Sequence, residues 1–143
     1  MEQQRRSRDP RVIEPIARDI VDASIQVHRE FGPGVYEEIY ENAMRMELMD
    51  RGREVQQQLS LEVFYRGRSL GIGCRLDLVV DDLVVIEGKA VEKIVPRFKA
   101  QLLSYLKIGD YPLGLLLNFH EELMRHGITR VAYDYYPDRK PST

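Results

Sequence analysis

A chain of 143 residues is the length of one domain, and folding at that size buries roughly 68% of the surface that the unfolded form exposes. Hydrophobic residues make up 43% and charged residues 31%, which excludes a disordered or fibrous chain and points to a globular protein with a core of its own. The net charge of -2, from 21 basic and 23 acidic residues, denies the molecule as a whole the positive footprint of an obligate nucleic-acid binder. Contact with polyanions is left to local groups such as Arg51, Arg53, Arg66 and Arg68, or Lys93, Arg97 and Lys99. Either set also reads as a solvated charged face.

Residues 1 to 12 are polar and arginine-rich, with Asp9-Pro10 as a turn signal, and read as a flexible arm. From Pro15, apolar residues recur at Ile16, Ile20, Ala23, Val27 and Phe31, the spacing of one helix face, and Gly32-Pro33-Gly34 breaks that helix. A second helix is expected from about Val35 to Asp50. Val55, Leu59, Leu61, Val63 and Tyr65 then alternate with polar neighbours as a half-buried strand does, with Gln57 as the exception. After a turn at Arg66-Gly67-Arg68, the even positions Leu70, Ile72, Cys74, Leu76, Leu78 and Val80 form the apolar set of a second, antiparallel strand.

Asp81-Asp82 marks the next turn, and Leu83-Val84-Val85-Ile86 reads as a strand buried on both faces. A third helix opens at Pro96, carries Phe98, Leu102, Tyr105 and Leu106 on one side and ends at Gly109. Leu113 to Phe119 is a buried strand, His120 to His126 a helical turn, and Ile128 to Tyr135 an edge strand. These elements give one domain over residues 13–136, a mixed β-sheet flanked by helices in the order α-α-β-β-β-α-β, with residues 137–143 as a tail. The single cysteine, Cys74, excludes an internal disulfide, and Met1 to Arg6 has no apolar signal core, so a cytoplasmic setting is expected. The longest apolar run, Leu113 to Leu117 with one glycine, is far below the ~20 residues of a membrane span, so no membrane contact is expected.

The chemistry concentrates around the third strand. Glu87 and Lys89 are two apart and project to one face. A short turn at Asp81-Asp82 pairs residues whose numbers sum to about 163 or 164, which sets Asp77 beside Glu87. Two adjacent carboxylates repel and rise in pKa unless a cation shares the space. A lysine supplies part of that compensation, and a hard divalent ion such as Mg²⁺ or Mn²⁺ the rest. Such a grouping suits metal-assisted attack on a phosphodiester, with Lys89 orienting water or stabilising developing negative charge. His28, His120 and His126 lack the partners of a zinc site, and His28 suits a structural hydrogen bond beside the Gly-Pro-Gly break.

Gly34-Val35-Tyr36-Glu37-Glu38-Ile39-Tyr40 carries a Gly-x-x-Glu-x-x-Tyr pattern. Together with Val27 to Gly34, Arg75-Leu76-Asp77-Leu78, Glu87-Gly88-Lys89-Ala90, Gln101 to Leu106 and Leu117-Asn118-Phe119, it resembles the GxxExxY proteins of the PD-(D/E)XK nuclease superfamily. That resemblance implies a restriction-endonuclease-like core and a nuclease that uses Mg²⁺ or Mn²⁺ on DNA or RNA. It further implies that Glu37 joins Asp77 and Glu87 near the metal, that Lys89 is the catalytic lysine, and that Gln101 and Tyr105 face the site. Glu37 also reads as a solvated residue favourable to the helix dipole, and Tyr105 as a core residue with its hydroxyl at the rim. Two departures stand out: Leu76 occupies the place of the superfamily's proline, and Gly88 that of a bulky apolar residue, which loosens the strand before Lys89. A fold that kept this shape without catalysis, binding nucleic acid or a protein, is the alternative, and a homodimer is possible under either reading.

Overall fold

Asp9 opens the first helix: its side chain accepts the Arg11 N–H at 2.9 Å, and Pro10 sits at the first helical position, where its missing N–H costs nothing. This structure is a computed structural model that describes residues 5–139, so residues 1–4 of the expected arm and 140–143 of the expected tail lie outside the described residues. Helix α1 therefore covers Pro10–Phe31, starting ahead of the periodicity read from Pro15, because the Asp9 cap and Pro10 nucleate it and Ile13 is fully buried. The order continues with α2 (Glu37–Asp50), β1 (Val55–Tyr65), β2 (Arg68–Val80), β3 (Val84–Lys89), α3 (Pro96–Gly109), β4 (Leu113–Asn118), a 3₁₀ turn (Met124–Gly127) and β5 (Ile128–Ala132).

The five strands form one mixed sheet in the order β1-β2-β3-β4-β5, antiparallel throughout except for the parallel pair β3 and β4. The parallel pair requires a crossover, and α3 supplies it. Helices α1 and α2 cover one face, packing Ile16, Ile20, Tyr40 and Met44 against Leu78, Val84, Ile86 and Leu115. Helix α3 covers the other, packing Leu102 and Leu106 against Leu76, Val79, Val85 and Leu116. Both faces of β3 and β4 are thus buried, which is why their sequences are continuously apolar instead of alternating.

The expected alternation in β1 and β2 holds only in part. Val55 and Leu78 pack on the α1/α2 side, whereas Leu59, Leu61 and Leu76 pack on the α3 side, although all five lie on the apolar phase of their strands. Both strands change face at one level, where Gln58 adopts a left-handed backbone (φ 52°) beside Asp77. Leu70 and Ile72 correct the expectation of a buried even-numbered set: they are 66% and 64% exposed, because the outer half of the β1–β2 hairpin runs beyond the helices.

Tyr40 locks α2 to the sheet. It is 1% exposed, its ring stacks on Phe119 with centroids 4.4 Å apart, and its hydroxyl donates to the Gly32 carbonyl while accepting the Val35 N–H. Gly34, at φ 117°, takes a conformation that a side chain would strain, and lets the chain reverse between α1 and α2. Tyr40→Phe keeps the stack and orphans the two backbone groups, so we expect a loss of about 1–2 kcal/mol in urea unfolding. An unchanged midpoint would show that the hydroxyl contributes nothing.

Candidate metal and nuclease site

The β2–β3 ladder stops at Leu78 and Ile86, and Asp77 and Glu87 are the first residues beyond it. Each carboxylate takes over the backbone donor that the missing ladder leaves unpaired. The Asp77 N–H donates to Glu87 Oε1 at 3.3 Å, and the Gly88 N–H donates to Asp77 Oδ2 at 3.0 Å. Glu87 is 8% exposed. Burial, followed by the neighbouring Asp77 charge, pushes its carboxyl up to about 8.

Asp77 faces a cleft of about 440 Å³ whose wall includes Glu37, Glu38, Glu41, Gln58 and Arg75. Glu37 and Glu41 lie one turn apart on α2. The Glu37 carboxylate accepts the Ala90 N–H at 3.0 Å, tying the helix start to the end of β3. Glu41 receives Gln57 and Gln58, each at 2.7 Å, and Gln58 also reaches Asp77 Oδ1 at 3.4 Å. Burial raises the Glu41 carboxyl, and the Asp77 charge adds to the shift. The sequence reading gave no site role to Glu41, Gln57, Gln58 or Arg75. The signals were there: an acid four residues after Glu37, and a glutamine at the one position that broke the alternation of β1.

On the α3 side, the Lys89 ammonium lies 4.7 Å from the centre of the Phe98 ring, a cation–π contact. Its positive charge partly offsets the rise at Glu87. Tyr105 is half-buried against the α3-side core, and its phenol is raised by burial first and then by the charges of Glu87, Cys74 and Asp77. The ring is thus a core group, as one of the two expectations for Tyr105 has it. Gln101, one turn before it, is exposed. A Cβ at Gly88 would meet nothing within 4 Å, so the backbone between Glu87 and Lys89 is open to close approach. His28 is away from the site, 2.7 Å from the Glu121 carbonyl oxygen, and Cys74 is buried with its thiol raised by burial.

Asp77 and Glu87 are therefore brought together. Glu37 shares the cleft with Asp77 but is engaged by Ala90. Among the described residues no three histidine, cysteine, aspartate or glutamate side chains converge into a metal-holding cluster. The pair nevertheless fits a hard divalent cation. Such ions are commonly held by one or two carboxylates with water and substrate oxygens, and a buried Glu87 beside the Asp77 carboxylate is stabilised in its charged form by positive charge between them. No described helix is long and apolar enough to cross a membrane.

The family model of the PD-(D/E)XK nuclease superfamily matches residues 14–131, a span that contains every residue of this site. No curated protein and no solved structure matches.

The raised Glu87 carboxyl sets a sign for stability against pH. The fold favours its neutral form, so its contribution is full below the ordinary value of 4.5 and is lost as pH rises through about 8. In metal-free buffer we expect the melting temperature to fall across that window, and the fall to flatten in Glu87→Gln. Parallel profiles for the two proteins would refute the assignment.

Proposed function

The chain belongs to the PD-(D/E)XK nuclease superfamily, and from that premise we propose that it is a metal-dependent nuclease that hydrolyses phosphodiester bonds of DNA or RNA. Within the superfamily we assign it to the GxxExxY group, on the arrangement of Gly34, Glu37 and Tyr40. The observation that carries the reading is the Asp77 and Glu87 pair: two carboxylates that fill a break in the β-ladder, Asp77 facing the acidic cleft and Glu87 buried behind it, with a lysine two residues on. A purely structural pair has no need for Asp77 to face an open cleft, and a mere surface pair would not bury Glu87.

Asp77 and Glu87 would hold Mg²⁺ or Mn²⁺, and Glu37 would join them from α2 when its carboxylate leaves the Ala90 N–H. A bound divalent cation polarises the phosphate and makes water a better nucleophile at neutral pH. Asp77 keeps its orientation through the Gly88 N–H and the Gln58 amide. Lys89, braced on Phe98, supplies the positive charge that meets the negative charge developing on the phosphate. Gln101 and Tyr105 would approach the substrate from α3, where the Tyr105 hydroxyl would donate to a phosphate oxygen. One domain over residues 13–136 carries all of these groups.

A catalytically silent nuclease-fold module that binds nucleic acid or a protein is the second reading. The Lys89 contact with Phe98 favours it, because an ammonium held on a ring is partly withdrawn from the acids.

Calorimetry and cleavage separate the two readings. We expect Mg²⁺ or Mn²⁺ to bind the wild type and to be lost in Asp77→Ala and Glu87→Ala. Cleavage of DNA or RNA should fall about a hundredfold or more in Asp77→Ala and Lys89→Ala. Cleavage that survives both substitutions would exclude this site, and binding of nucleic acid without turnover would select the silent module.

A further inference from the structure

Beyond the level of Asp77, the two strands β1 and β2 have only each other. The β2–β3 ladder is confined to Leu78, Val79 and Val80, while β1–β2 pairing continues out to Tyr65 and Arg68. The result is a two-stranded ribbon projecting from the sheet. Leu59 and Leu61 cover one of its faces by packing toward α3. The opposite face is open.

Cross-strand register identifies what stands on that open face. Ser60 pairs with Arg75, Glu62 with Ile72, and Phe64 with Ser69, so Arg75, Ile72 and Phe64 form a row running outward from the cleft. Arg75 lines the cleft together with Asp77. Phe64, 62% exposed, lies about 13 Å farther along by the rise of a strand. Large apolar side chains on an unsupported ribbon lose free energy in water unless something covers them.

Charge narrows what covers them. From Leu59 to Leu76 the ribbon carries Arg66, Arg68 and Arg75 against the single acid Glu62, in a chain of net charge -2; by register Arg75 and Glu62 share the open face, Arg66 stands at the tip, and Arg68 pairs with Tyr65 on the other face. The Arg66 guanidinium lies 5.1 Å from the centre of the Tyr65 ring at the tip. A second copy docked ribbon to ribbon would bring only its own Glu62 to meet these arginines. A phosphate backbone would neutralise them, and an exposed aromatic ring offers a stacking surface that only unpaired bases can use. Gly71, at φ 89° with open space around its missing Cβ, leaves bare backbone beside this face.

We propose that the open face of the β1–β2 ribbon receives an unpaired nucleic-acid strand leaving the acidic cleft, with Phe64 stacking on a base and Arg75 contacting a phosphate at the cleft mouth. This inference rests on the nuclease reading and extends it to a substrate class: single-stranded segments, whether free or at the end of a duplex. Phe64 and Arg75 are positioning residues, acting on where the strand lies and not on the reacting atoms.

Fluorescence anisotropy with a labelled oligothymidylate and a duplex of the same length tests it, on the Lys89→Ala protein in Mg²⁺ so that the strand stays intact. We expect the single strand to bind more tightly than the duplex. Phe64→Ala should weaken single-strand binding about tenfold without lowering the melting temperature, and Phe64→Trp should restore it. Arg75→Ala should reduce the slope of log affinity against log salt by about 0.7, the mark of one lost phosphate contact on a single strand. Preference for duplex, or indifference to Phe64→Ala, overturns the inference and leaves the nuclease reading standing. Failure of the parent protein to bind any nucleic acid removes both.

Discussion

Two carboxylates are placed where a β-ladder has been interrupted, and the architecture around them is built to tolerate that. Asp77 and Glu87 satisfy the backbone donors that β2 and β3 no longer offer each other, so each acid has a structural partner as well as an unwelcome neighbour. Burial, and then the neighbouring Asp77 charge, work against ionisation of Glu87, the more deeply enclosed of the two. Opening the strands further would relieve the repulsion, but β3 is clamped on its other edge by six parallel pairs with β4. The strain therefore stays local, at the place where a cation would remove it.

The Gly-x-x-Glu-x-x-Tyr segment acquires a physical account from this arrangement. Gly34 reverses the chain, Glu37 caps the end of β3 through the Ala90 N–H, and Tyr40 ties the reversal to the core through the Gly32 carbonyl and the Phe119 ring. The three positions set the distance and angle of α2 relative to the strand that carries Glu87 and Lys89. Glu41, one turn beyond Glu37, then reaches across to Gln57 and Gln58 and closes the far wall of the cleft. Helix α2 is thus an acidic wall held by one tyrosine and two carboxylates, and its position is inseparable from the site.

The change of face at Gln58 divides β1 and β2 into an inner half that belongs to the sheet and an outer half that forms the ribbon. Had the alternation run on unbroken, Leu59 and Leu76 would have pointed toward α2, beside Gln57. Instead the strands rotate beside Asp77, the glutamines turn to the cleft, and the leucines turn to α3. One backbone irregularity thereby serves the core, the acid wall and the ribbon.

Periodicity in the sequence determined the helices, the strands, their order and the mixed sheet, because burying an apolar stripe or face is a local pattern that the chain carries with it. It also determined the meeting of Asp77 and Glu87, since a short turn at Asp81-Asp82 leaves little freedom of register. The start of α1 was missed because a single cap, Asp9, outweighed the apolar spacing. The exposure of Leu70 and Ile72 was missed because alternation says which side chains share a face and not whether anything lies against it. Glu41, Gln58 and the Phe98 brace on Lys89 come from separate elements that only the packing of α2 and α3 brings to β1 and β3. Tertiary structure alone decided those contacts, because an electrostatic or aromatic contact depends on distances between segments, and no pattern within a segment encodes them.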